Sequence, residues 1–192
     1  MPWQLHRIPL ETHHQSAHAM TTTPASILII RHGEKPGDPA TDTADAIDLS
    51  TRGYERAGAL ASYIPATFGT PDFLFATQAS KNSNRPVETI TPLAAALQLE
   101  IDSKHADDDY PALAADLLSN AKYAGKLVLI CWHHGKIPKL TRALGGVAPQ
   151  DPWPGTVFDR VWQINYPAGN SAPTNLAVIN TPQMLLYGDS ST

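Results

Sequence analysis

Ile27-Leu28-Ile29-Ile30 and Leu127-Val128-Leu129-Ile130-Cys131-Trp132 are unbroken apolar runs. A strand with one wet face alternates polar and apolar side chains, so a run without alternation has to be covered on both sides. Helices are the usual cover, and the chain supplies them. Ser50 or Thr51 can cap a helix whose apolar positions Tyr54, Ala57, Leu60, Ala61 and Ile64 recur at the 3.6-residue period and stop near Pro65 and Gly69. Phe73-Leu74-Phe75-Ala76 reads as a second strand, and Pro86 opens a helix carried by Ile90, Leu93, Ala94 and Leu97. A short strand at 99–101 and a helix capped by Asp109, through Leu113, Leu117 and Leu118, precede the second apolar run. Strands alternating with helices fold as right-handed parallel crossovers, which predicts an α/β three-layer sandwich, a mostly parallel central sheet with helices on both faces.

Beyond Pro138 the alternation changes. Residues 139–144 can continue a helix, whereas 157–166 and 176–179 read as strands of a hairpin or sheet edge around a Pro/Gly/Asn turn. Residues 25–192 show no internal divide and are expected to form a single domain. Residues 1–24 are expected to be a flexible tail, with no sustained period and no continuous apolar segment of the kind a secretory signal needs. Met20 stands just ahead of the first strand, so the tail is either a genuine extension or lies upstream of the true start.

Composition narrows the partners. Lys and Arg number 14 against 18 Asp and Glu, a formal charge of −4, so no bulk positive field exists to hold nucleic acid or an anionic membrane. No run approaches the roughly 20 apolar residues that span a bilayer. Any anion must be gripped locally. The single Cys131 excludes an intramolecular disulfide and a Cys-rich zinc site, which points to a reducing, cytoplasmic setting.

In open α/β sheets ligands bind beyond the carboxyl ends of the strands, so the residues after each apolar run matter most. Arg31-His32-Gly33-Glu34 follows the first run, Arg85 follows the second strand after a polar loop, and His133-His134-Gly135 follows the run at 127. Each is ordinary alone, since a His at a strand end is usually a satisfied polar group and an Arg a surface charge. Together they offer two guanidinium forks for the non-bridging oxygens of a phosphoryl group, and imidazoles to serve as nucleophile and charge stabiliser. Successive strand residues face opposite ways, so His133 and His134 cannot both enter one pocket unless the strand has ended. A metal hydrolase built on His32, His133 and His134 is the poorer reading, because no His-x-His or His-Glu-x-x-His spacing accompanies them; no metal or other cofactor is expected.

Four ordered blocks resemble the histidine phosphatase superfamily, which includes the cofactor-dependent phosphoglycerate mutases. Ile27-Leu-Ile-Ile-Arg31-His32-Gly33 is similar to its strand followed by Arg-His-Gly. Leu49-Ser50-Thr51-Arg52-Gly53-Tyr54-Glu55-Arg56-Ala57 is similar to its Leu-Thr-x-x-Gly-x-x-Gln-Ala helix start, and Arg85-Pro-Val-Glu-Thr89 to its Arg-Ala-x-Gln-Thr segment. His134-Gly135 stands where its second histidine is expected, and the resemblance runs from about Ser26 to Pro138. It implies a phosphoglycerate mutase-like fold and a phosphatase whose nucleophile is His32, with Arg31 and Arg85 clamping the phosphoryl oxygens and His134 against the same group. His133 becomes a rim or substrate-facing residue. Glu34 and Lys35 become candidate substrate contacts, Glu34 being equally able to orient a neighbouring Arg.

The resemblance also asks for a carboxyl group to protonate the leaving alkoxide. In the mutase-like branch it lies between the second Arg and the second His, which leaves Asp107, Asp108, Asp109 and Glu88; Asp109 doubles as a helix cap, so Asp107 and Asp108 are preferred. The branch with an Asp directly after the second His does not fit, because Gly135 stands there. Pro86 and Glu88 depart from the pattern near Arg85. Only a short loop and one helix fit between Ile101 and Lys126, so no large cap is expected and the pocket should be open and shallow. Hydrolysis is then expected over mutase chemistry, which has to retain its intermediate. The expected substrate is a small-molecule phosphoester or a phosphoprotein, with phosphate, sulfate or vanadate filling the same pocket. The alternative is a catalytically silent phosphate-binding module of the same fold. Oligomeric state is not legible.

Overall fold

The computed structural model describes residues 22–37, 47–167 and 174–190. One sheet of 6 strands runs in the order β3-β2-β4-β1-β5-β6, with β1 Ser26–Arg31, β2 Phe73–Ala76, β3 Ile101–Asp102, β4 Leu127–Trp132, β5 Arg160–Asn165 and β6 Val178–Pro182. The first four strands are parallel neighbours; β5 runs antiparallel to β1, and β6 to β5. The helices are α1 Thr51–Phe68, α2 Arg85–Leu97, α3 Tyr110–Ser119 and α4 Ile137–Ala143. This is the three-layer sandwich that the alternating pattern predicts.

The two apolar runs are the central strands β1 and β4. Ile27, Ile29, Val128 and Ile130 pack with Leu113, Leu117 and Leu140 of α3 and α4 on one face. Leu28, Ile30, Leu129 and Cys131 pack with Leu60, Ile64, Ile90 and Leu93 of α1 and α2 on the other. Double coverage is why neither strand alternates, and each fully buried aliphatic contributes about 1.5–3 kcal/mol.

Several boundaries differ from the sequence expectation. α1 passes Pro65 and ends at Phe68, before Gly69 at φ 92; one missing N–H so close to the helix end is tolerated because the ring's φ is already helical. Tyr54, expected on the apolar face, is half exposed. α4 starts at Ile137 rather than Lys139, with Pro138 in its first turn, where the absent donor is harmless. β5 starts at Arg160 rather than at 157, because the preceding residues turn over the end of β1. The expected tail at 1–21 lies outside the described residues. Residues 22–24 are part of the fold: Thr23 and Pro24 are buried, and Gly125 N donates to the Thr23 carbonyl at 3.0 Å. No helix among the described residues is long and apolar enough to cross a membrane.

Candidate active site

β1 and β4 lie side by side with Ile30 beside Cys131 and Arg31 beside Trp132. The residues that follow are therefore matched as well, and the His32 N–H donates to the Trp132 carbonyl at 3.3 Å. The rings of His32 and His133 meet edge to face, centroids 5.3 Å apart. The ring set edge to face with His32 is that of His133, the residue before the His134 that the sequence pattern favours. The reason is strand phase: Val128, Ile130 and Trp132 fill one core and Leu129 and Cys131 the other, so the next side chain falls on the face that also receives Leu28, Ile30 and His32. His134 lies one residue out of that register, close enough for its charge to oppose protonation of His133.

His32 is 3% exposed. Its Nδ1 stands 2.7 Å from the Gly33 carbonyl, a contact that an Nδ1–H satisfies, leaving the lone pair on Nε2. Burial, followed by the charges of Arg31, His133 and Arg85, holds the imidazole well below the ordinary histidine range, against the pull of the Gly33 carbonyl. Burial, then Arg85, His134 and Arg31, pushes His133 down to about 4. Both rings are thus neutral at neutral pH in a field set by two arginines. Arg85, the first residue of α2, is buried at the same edge.

The loop after His32 is braced from two sides. Gly33 N donates to Thr89 Oγ1 at 2.8 Å and the Thr89 hydroxyl donates to the Arg85 carbonyl at 2.7 Å, so one side chain joins the loop after His32 to the turn that carries Arg85. Thr89→Val keeps the shape, deletes both bonds and strands the buried Gly33 N–H. Urea unfolding is expected to show a loss of about 1–3 kcal/mol, and unchanged stability would contradict the bridge. On the other side, Gly33 and Gly53 interlock: a Cβ at Gly53 would sit 2.3 Å from the Glu34 carbonyl oxygen, and one at Gly33 2.9 Å from that of Gly53. Ser50, the N-cap of α1, donates to the same Glu34 carbonyl through its N–H (2.9 Å) and its hydroxyl (3.1 Å).

Glu34 lines the same cleft as Lys35, and its carboxylate also orients neighbouring arginines. Its carboxylate accepts from Arg56 Nη2 (2.7 Å) and Nε (3.0 Å) and from Arg52 Nε (3.0 Å). Asp189 completes the cluster, accepting from Arg56 Nη2 at 2.7 Å and Nη1 at 3.0 Å. Burial alone would raise the Asp189 carboxyl, but Arg56 and the Leu186 and Leu185 amides hold it at about 2. Asp189 comes from the far end of the chain and carried no sequence signal. Lys35 is half-buried and lines a cleft of about 400 Å³ with Arg52, Phe158 and Asp159.

The three aspartates before α3 separate clearly. Asp107 is half-buried, its Oδ1 lacks a hydrogen-bond partner, and the buried Trp132 indole N–H donates to its backbone carbonyl at 3.2 Å. Burial pushes its carboxyl up to about 6, against the pull of Lys136. Asp108 is exposed and ion-paired with Lys136, which holds it below the usual carboxylate range. Asp109 turns back to accept from Ala106 N at 3.1 Å. Glu88 accepts from Leu49 N and the Tyr54 hydroxyl, both at 2.9 Å, tying α2 to α1. Of the two aspartates the sequence left open, Asp107 is the one whose carboxyl burial raises, and Asp108 the one Lys136 lowers.

The site is not open and shallow. No inserted cap stands between β3 and β4, as expected, yet the 154–158 turn covers His32: the Phe158 ring lies 6.1 Å from the imidazole, centroid to centroid, and 3.7 Å from the Arg31 guanidinium carbon. Arg31 is wholly buried, its Nη1 donating to the carbonyls of Gly155 (2.6 Å), Val157 (2.9 Å) and Pro154 (3.3 Å). Among the described residues no group of three or more His, Cys, Asp or Glu is placed to hold a metal.

Sheet order and helix placement define a phosphoglycerate mutase-like α/β fold. No protein-family model matches the sequence, and no curated protein matches it. Among solved structures the chain is similar to the protein histidine phosphatase SixA complexed with tungstate, at TM-score 0.58 and 16% identity over 82% of this chain and 97% of that one. It is similar to mycobacterial hydrolase 1, at 0.58 and 14% over 88% and 100%. It is also similar to phosphoserine phosphatase from Entamoeba histolytica in complex with 3-phosphoglyceric acid, at 0.53 and 14% over 84% and 99%. At these identities the likeness is one of fold, and it agrees with the resemblance carried by the four sequence blocks.

Proposed function

We propose that the chain is a metal-independent phosphatase that hydrolyses phosphomonoesters, or phosphohistidine, through a covalent phosphohistidine on His32. The observation that carries this reading is the buried pairing of His32 with His133 under the charges of Arg31 and Arg85. A neutral Nε2 attacks phosphorus in line and the bond to the leaving oxygen breaks. Asp107 gives that oxygen its proton, while the two arginines neutralise the equatorial oxygens and His133 donates a hydrogen bond to one of them. Water then attacks the phosphohistidine and gives its proton to the Asp107 carboxylate. The P–N bond breaks, phosphate leaves, and His32 returns to its neutral state.

The role of Asp107 sets a pH dependence. It donates only while protonated, and that form is lost as pH rises through about 6, so turnover of alkyl phosphates, whose leaving groups are poor, is expected to fall on the alkaline side. Asp107→Asn should abolish that limb and slow alkyl phosphates on the order of 10²–10⁴-fold, while sparing p-nitrophenyl phosphate, whose leaving group needs little protonation. The same change should raise Tm above pH 6: a carboxyl with a raised folded pKa supports folding below its unfolded pKa and loses that support as pH climbs through the folded value. Equal slowing of both substrate types, or a lower Tm at pH 8, would remove Asp107 from the donor role.

A second reading is favoured by the closure over His32, which would suit a phosphate-binding module without turnover. Tight vanadate binding with no phosphate release across a broad phosphoester panel would establish it.

A further inference from the structure

We propose that Phe158 is a positioning residue for the reaction at His32, the 154–158 turn forming a cradle that holds the Arg31 guanidinium beside the nucleophile. The inference rests on the reading of His32 as nucleophile.

Strand phase makes a cradle necessary. Arg31 follows Ile27 and Ile29 on one face of β1, whereas His32 follows Leu28 and Ile30 on the other. Left to the strand, the two side chains leave on opposite sides of the sheet. The sheet register supplies the device that brings the cation back: β5 pairs antiparallel with β1, Ile30 beside Val161, so the residues entering β5 pass the end of β1. Three backbone carbonyls from that turn accept from a single Arg31 nitrogen, Nη1. The Phe158 ring lies 3.7 Å from the guanidinium carbon, where its negative face attracts the cation. The same ring approaches the His32 imidazole at 60°. One aromatic side chain therefore lies against both the clamp and the nucleophile, each of which is buried. The charged or titratable groups bearing on His32 are Arg31 from β1, His133 from the end of β4 and Arg85 from α2; Phe158 adds none, so its removal changes solvation and the placing of Arg31.

The test uses the full chain with p-nitrophenyl phosphate and, separately, an ¹⁵N-histidine NMR titration in which the His32 signal is assigned by its loss in His32→Ala. In Phe158→Ala, kcat should fall about 10-fold with a smaller change in KM, and the His32 midpoint should move up towards the ordinary histidine value as water reaches the ring. Phe158→Tyr, which keeps the aromatic face, should restore both; Phe158→Leu, which keeps the bulk alone, should restore the midpoint more than kcat. A folded Phe158→Ala with wild-type kcat and an unmoved His32 midpoint overturns the proposal, as does Phe158→Leu matching the wild type in both. Should Phe158→Ala fail to fold, the Leu and Tyr variants decide. If the wild type turns over no phosphoester, the phosphatase reading fails and the titration alone decides the positioning role.

Discussion

His32→Ala is expected to abolish phosphoester turnover, with a loss on the order of 10⁴-fold or more, because the proposed mechanism routes both steps through a covalent bond to this imidazole. Brief reaction of the wild type with ³²P-labelled substrate and alkaline quenching should trap a phosphoenzyme that survives base and is lost in acid, the behaviour of a P–N bond. The variant should yield none. It should still bind vanadate, since Arg31 and Arg85 remain, and vanadate protection of the folded variant separates lost chemistry from lost structure. The side chain is almost wholly buried, so a circular dichroism melt belongs beside the assay. Full activity in the folded variant would reject the phosphohistidine mechanism.

The second large effect divides neighbours. His133→Ala is expected to lower kcat by on the order of 10²–10³-fold, the usual loss when a preorganised donor to a developing oxyanion is removed. His134→Ala should leave kcat near the wild-type value. The proposed assignment rests on ring geometry, the His32 and His133 centroids lying 5.3 Å apart. Steady-state kinetics of the two variants on one substrate is sufficient. A severe loss in His134→Ala with a mild one in His133→Ala would return the role to the residue that the Gly135 motif suggests.

Periodicity and capping are local properties, and what depended on them was readable from the chain. Apolar runs without alternation read as doubly covered strands, Ser50 or Thr51 read as a helix cap, and four ordered blocks brought Arg31, His32 and Arg85 to one sheet edge. The choice between His133 and His134 was not readable. Phase along a strand is revealed by alternating polarity, and β4 has none because both its faces are buried. Only the pairing of Arg31 with Trp132 brings the end of β4 beside His32 and sets the His133 ring against it. Likewise Asp107 and Asp108 are chemically identical in the sequence; burial raises one and Lys136 lowers the other. Glu34, Arg56 and Asp189 form a charge cluster, and Arg31 finds its carbonyl partners 123 to 126 residues away, through contacts that no local spacing encodes. The sequence determined the elements and the chemical groups at the strand ends. Which of those groups share a face, lose water and feel one another's charge was decided only by tertiary structure, because solvation and Coulomb interaction depend on distance through space and not along the chain.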